Sequence, residues 1–197
     1  KMMRKITHKI IGLILSIVFF AMLSFAQQAA KITVIKAGKL IDTENGKVLE
    51  NQMILIENNI IKAIGANVQI PANATVIDLS KATVMPGFVD THVHQTGQSE
   101  GNYYDAIFRE TFVDTAVTAH IYAKRTLDAG FTTVRDVGSE GFVALALKKA
   151  INAGKIPGPR MQVANSYIGS TGSHGDLNGF SPWLGSRMPE EMSGVAD

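Results

Sequence analysis

A chain of 197 residues with 46% hydrophobic content holds enough apolar side chains for one ordinary domain core. It contains no cysteine, which excludes disulfides and thiolate metal sites, so any metal must be held by imidazole and oxygen ligands. Its formal charge of +2 misleads: four of the 19 basic residues lie in the first 26 positions and all 17 acidic ones beyond them. The remainder therefore carries 15 basic against 17 acidic side chains, net −2, and offers no footprint for nucleic acid.

Residues 1–26 read as an export signal. Lys1, Arg4, Lys5 and Lys9 form a basic n-region, residues 10–25 an uncharged apolar run, and Ser24-Phe25-Ala26 a small-x-small cleavage site before Gln27. The run is 16 residues long, short of the ~20 of a spanning helix, so a cleaved signal is expected, with an uncleaved anchor as the alternative. Either way the protein is exported, to a periplasmic or extracellular location, and touches a membrane only through this segment. A lipid anchor would need a cysteine at the cleavage point.

Residues 27–83 alternate short β-prone runs with turn residues, which predicts a small β-sandwich. Candidate strands cover 32–37, 53–57, 60–64 and 75–79, with Asn58-Asn59 suited to a two-residue hairpin between the second and third. Nothing titratable converges there.

From residue 84 to 197 the pattern changes. Residues 84–94 form an apolar run that opens with a Pro86-Gly87 turn and ends on His92 and His94, and Val84, Phe88, Val89 and Val93 suggest a strand buried on both faces. In an extended strand His92 and His94 share a face about 6.6–7 Å apart along the backbone, a spacing that lets two imidazoles close on one metal ion. Buried without partners they would cost roughly 2–7 kcal/mol each, so a metal is an economical partner, with an exposed or hydrogen-bonded His pair on a half-buried strand as the plain alternative.

A polar loop at 95–104 is followed by a helix at 105–129, in which Phe108, Phe112, Ala116, Ala119, Ala123 and Leu127 form the apolar face and Gly130 is the stop. His120 lacks a ligand partner one turn away and reads as a surface histidine. A second strand covers 131–138. A second helix, with Ser139 as a possible cap, buries Phe142, Val143, Leu145, Ala146, Ala150 and Ile151 until Gly154, and an extended run restarts at 160–164. This βα alternation predicts a parallel sheet. Arg135-Asp136 at a strand end reads as a structural ion pair or a substrate contact. His174, between Gly172 and Gly175 in a loop, reads as an exposed histidine or as a group placed against a ligand.

Pro86-Gly87-Phe88-Val89-Asp90-Thr91-His92-Val93-His94 resembles the first barrel strand of the amidohydrolase superfamily, whose signature is Pro-Gly-x-x-Asp-x-His-x-His. Residues 129–138 look like the second-strand signature of the branch containing imidazolonepropionase-like enzymes and Xaa-Pro dipeptidases. Gly158-Pro159-Arg160 with Thr171-Gly172-Ser173-His174-Gly175-Asp176 resembles its third strand and loop, with Ser173 where glycine is usual. The resemblance extends to the small N-terminal sandwich, which in relatives is completed by C-terminal residues.

This resemblance implies an α/β fold: a (β/α)8 TIM-type barrel, of which residues 84–197 supply about the first three βα units, preceded by the sandwich. Such a barrel takes about 250 residues, so the chain is expected to be an N-terminal fragment, inactive alone. The resemblance further implies one or two divalent ions, most often zinc, with His92 and His94 as ligands of the more buried ion. It places a lysine, two more histidines and a general-base aspartate on later strands; His174, read from its glycine-flanked loop, is the candidate substrate-binding residue. The implied reaction is hydrolysis of an amide or peptide C–N bond in a small molecule, such as a dipeptide or an N-acyl amino acid, by a metal-activated water. A non-catalytic small-ligand module and a non-functional truncated product remain the alternatives, and the oligomeric state is not legible.

Overall fold

The computed structural model describes residues 30–98, 109–139 and 141–165. The chain divides into two compact units, Lys1–Met85 and Pro86–Asp197. The expected export signal and the His174 loop both lie outside the described residues. Among the described residues no helix is long and apolar enough to cross a membrane.

The first unit contains β1 (Ile32–Asp42), β2 (Lys47–Glu57), β3 (Ile60–Gly65) and β4 (Thr75–Val84) in one sheet of order β3-β2-β1-β4. β1 pairs antiparallel with β2 and parallel with β4, and β2 pairs antiparallel with β3. The hairpin expected at Asn58-Asn59 forms, with Glu57 opposite Ile60 and Asn58 at φ 55°. Its side-chain oxygen accepts the Lys31 N–H at 3.1 Å while its own N–H donates to the Lys31 carbonyl at 2.8 Å. β1 and β2 run further than their apolar cores suggest, because ladder hydrogen bonds need no apolar side chain and pairing continues to Asp42 opposite Lys47. There Asp42 accepts the Glu44 and Asn45 N–H groups, both at 3.1 Å, and Gly46 takes φ 63°.

Val34, Ala37, Leu40 and Ile54 are the buried apolar residues of this sheet. Its edge strands expose Ile60, Ile61, Ile64, Val76 and Ile77. A second layer, as a sandwich would have, is not among the described residues. Opposite Gly38 the pairing of β1 with β4 shifts, from Ala37 facing Leu79 to Lys39 facing Thr83. The resulting bulge presses its backbone on the glycine: a Cβ at position 38 would lie 2.1 Å from the Ser80 carbonyl oxygen. Asp78 braces the bulge by accepting the Ser80 N–H at 2.9 Å.

The second unit contains β5 (Phe88–Val93), α1 (Phe112–Asp128), β6 (Phe131–Asp136), α2 (Val143–Asn152) and β7 (Arg160–Val163). The strands form a parallel sheet of order β5-β6-β7, as the alternation predicts. Its core gathers Ala119, Ala123, Val134, Val143, Leu147 and Met161. Gly130 at φ 94° and Gly154 at φ 67° stop the two helices as expected.

Four expectations are corrected here. Val84 belongs to β4, opposite Leu40, and Pro86-Gly87 is irregular backbone rather than a turn. Gly87 is needed instead for close approach, since a Cβ there would lie 2.2 Å from the Thr132 side chain. β5 is not buried on both faces: it pairs only with β6 among the described residues, and Phe88 and Val89 are 47% and 62% exposed. α1 packs through the small side chains of Ala119 and Ala123, which let it approach the sheet, whereas Phe112 in its first turn is 56% exposed and Ala116 is exposed too. α2 begins after Phe142, with no side-chain cap, so Val143, Ala144 and Leu147 form its buried face and Phe142 and Ala146 are exposed.

Two predictions follow from these contacts. Gly38→Ala should lower stability by about 1–3 kcal/mol, because its methyl meets backbone that cannot rotate away; an unchanged midpoint in urea unfolding would contradict the close approach. Asp42, Asp78 and Asp114 are held below the ordinary carboxylate value of 3.8, chiefly by side-chain hydrogen bonds from Asn45, Ser80 and Thr111 respectively. A pKa depressed on folding contributes stability that is present above the unfolded value and lost as pH falls through the folded one. Stability should therefore decline below pH about 3.8, and a Ser80→Ala variant should show a shallower decline in a series of denaturant titrations at falling pH.

Candidate metal centre

The site is built at the C-terminal ends of the three parallel strands, the end where loops bring polar groups together in such sheets. β5 does not reach it as a flat strand. Asp90 lies opposite Val134 and Val93 opposite Asp136, so β5 carries an extra residue at Thr91-His92. The His92 N–H, turned from the ladder, donates to Asp90 Oδ1 at 3.0 Å. A bulge of this kind re-aims side chains. The imidazoles of His92 and His94 end with ring centroids 5.7 Å apart and planes at 80°, edge to face. Both residues are exposed.

His94 follows β5 and is held by the adjacent strand end. Its Nδ1 lies 2.8 Å from the Gly138 carbonyl oxygen. A carbonyl only accepts, so Nδ1 carries the proton and Nε2 the lone pair, the tautomer in which imidazole ligates a metal through Nε2. Gly138 is fixed in turn by its own N–H, which donates to Asp136 Oδ1 at 3.2 Å.

Asp136 is fully buried at the end of β6. Its carboxylate accepts the Gln95 N–H at 2.8 Å and the Ser139 hydroxyl at 2.8 and 2.9 Å, besides Gly138. Around it the backbone joins all three strand ends: Val137 N–H donates to the Val93 carbonyl, Ala164 N–H to that of Asp136, and Ser139 N–H to that of Asn165.

The structure thus brings His92 and His94 together. Among the described residues no group of three or more His, Cys, Asp or Glu side chains forms a metal cage, and His174 lies outside them. His120 is exposed on α1, as expected. The Arg135-Asp136 ion pair is not formed: alternation along β6 puts Arg135 on the exposed side and Asp136 inside, where backbone and hydroxyl donors satisfy it. Ser139 serves that carboxylate rather than capping α2. Sequence reasoning passed over Asp90, Gln95 and Gly138, and mistook Asp136. The available signal was its two-residue spacing from Val134, which puts Asp136 on a buried face.

The two donor nitrogens suit zinc or a similar borderline ion, which imidazole binds at about 2.0–2.1 Å.

A family model described as the amidohydrolase family matches residues 83–187. The chain is 30% identical over 154 residues to ochratoxinase from Aspergillus niger, covering 75% of this chain and 31% of the relative. Among solved structures it is similar to a Xaa-Pro dipeptidase with methionine bound in its active site, with TM-score 0.67, 36% identity and coverage of 77% of this chain and 38% of the other. It is also similar to a prolidase complexed with N-methylphosphonate-L-proline, with TM-score 0.69, 28% identity and coverage of 85% and 41%. The chain spans about a third of the length of the relatives it matches. With more than half of its residues matched by the family model, the site's strands included, the chain belongs to the amidohydrolase family.

Proposed function

We propose that this chain contributes the first metal-binding strand of a hydrolase acting on an amide or peptide C–N bond, His92 and His94 being two of the ligands. The observation that carries the reading is the hydrogen bond from His94 Nδ1 to the Gly138 carbonyl, because it fixes the tautomer in which imidazole ligates through Nε2, on a ring whose centroid lies 5.7 Å from that of His92. Two imidazoles fall short of the three protein ligands of a catalytic zinc site, so further ligands come from residues other than those described. The hydrolysis is proposed for the whole protein, with a (β/α)8 barrel and a completed N-terminal sandwich, exported by way of residues 1–26.

Dipeptides and N-acyl amino acids are the substrate classes to test first. The similarity to a Xaa-Pro dipeptidase and a prolidase supports the former. A bound ion, zinc by preference and one or two in number, would supply Lewis acidity and lower the pKa of a bound water toward neutrality. The chain's own residues do the positioning. Asp90 holds the His92 backbone at the bulge, and Gly138 holds the His94 ring. His174, which lies outside the described residues, is proposed to contact substrate.

Elemental analysis of the full-length protein beside a His92→Ala/His94→Ala variant tests this. About one or two equivalents of metal should be present in the parent and at least one lost in the variant. Metal absent from both, or retained in full by the variant, would remove the hydrolase reading and leave a small-ligand module.

A further inference from the structure

We propose that Asp136 is a positioning residue that sets the tautomer and orientation of His94. The proposal rests on the reading of His94 as a ligand for its purpose, though not for its geometry. A fully buried carboxylate usually needs a cation or several donors, since removing it from water costs several kcal/mol. Among the described residues no cation meets it. Its donors are two backbone N–H groups and one hydroxyl.

The two backbone donors flank the His94 ring in the hydrogen-bond sequence. Oδ2 takes the N–H of Gln95, the residue after His94, and so fixes the chain as it leaves β5. Oδ1 takes the N–H of Gly138, whose carbonyl receives the His94 Nδ1 proton. One carboxylate therefore holds the histidine from its backbone side and from its ring side. The ring can satisfy the Gly138 carbonyl only with Nδ1 protonated.

An asparagine at 136 cannot reproduce this. It offers one carbonyl oxygen and one NH2 group, and the NH2 must face either the Gln95 or the Gly138 N–H, donor against donor. Ser139 alone can adapt, because a hydroxyl can turn to accept.

The test uses the full chain free of metal, with 15N spectra of the imidazole nitrogens, followed by Zn2+ titration against a chromophoric chelator. In the parent, His94 should show a single Nδ1–H tautomer. In Asp136→Asn it should show a mixture, with Zn2+ affinity reduced about 10- to 100-fold, the range found when support behind a metal-ligating histidine is removed. A folded Asp136→Asn variant with unchanged tautomer and affinity overturns the proposal. If that variant does not fold, the parent decides: a single Nδ1–H tautomer with slow hydrogen exchange at the Gln95 and Gly138 amides upholds it, and mixed tautomers or fast exchange there overturn it. A parent that binds no Zn2+ yet shows the tautomer, lost in Asp136→Asn, upholds the brace and removes the metal reading instead.

Discussion

The second unit depends on one buried charge. Asp136 lies at the end of the central strand β6, without exposure, among donors from the chain after β5 and from the segment after its own strand. Hydrogen bonds to a charged group contribute roughly 1.5–3 kcal/mol each, while an uncompensated buried charge costs several. Three donor groups together are of the size needed to offset the burial. The carboxylate specifies where the neighbouring segments end: Gln95 cannot move without leaving it short of a donor, nor can Gly138. His94, between these two constraints, receives its orientation from them.

A second constraint is close approach. Three glycines sit where a side chain would collide: Gly38 under the Ser80 carbonyl, Gly87 against Thr132, and Gly158 against Ile151. Gly87 and Gly158 bring the starts of β5 and β7 close to their neighbours in the sheet and the helix layer. None of the three has a positive φ, so backbone freedom is not the reason for glycine there. At the far end of β5 the departure from regularity is of another kind. The bulge at Thr91-His92 spends a ladder hydrogen bond and recovers it on Asp90, which explains an aspartate two residues before the first histidine.

Much of this was legible beforehand because periodicity and stop residues agree. The alternation of strand and helix from Phe88 to Val163, the stops at Gly130 and Gly154, and the Asn58 hairpin all follow local rules that tertiary contacts did not override. What was not legible depends on contacts between distant segments. Val84 and Phe88 read as one strand since both are apolar, yet Val84 pairs with Leu40 and Phe88 with Phe131. The helix faces were misjudged at their ends, where Phe112 and Phe142 look like core residues by type but extend past the cluster around Ala123 and Val134. At the site, the histidines were legible as a pair, and their geometry was not: a flat strand was expected where an Asp90-held bulge occurs. Arg135 beside Asp136 suggested an ion pair, although alternate residues of a strand point to opposite faces.

The most direct measurement is X-ray diffraction from crystals of the full-length protein at the zinc absorption edge. If His92 and His94 ligate one ion, an anomalous peak should lie about 2.0–2.1 Å from His94 Nε2 and from one ring nitrogen of His92. A peak elsewhere or no peak would contradict the assignment of these histidines as metal ligands, and ligation through His94 Nδ1 in place of the Gly138 hydrogen bond would contradict the tautomer assigned to His94.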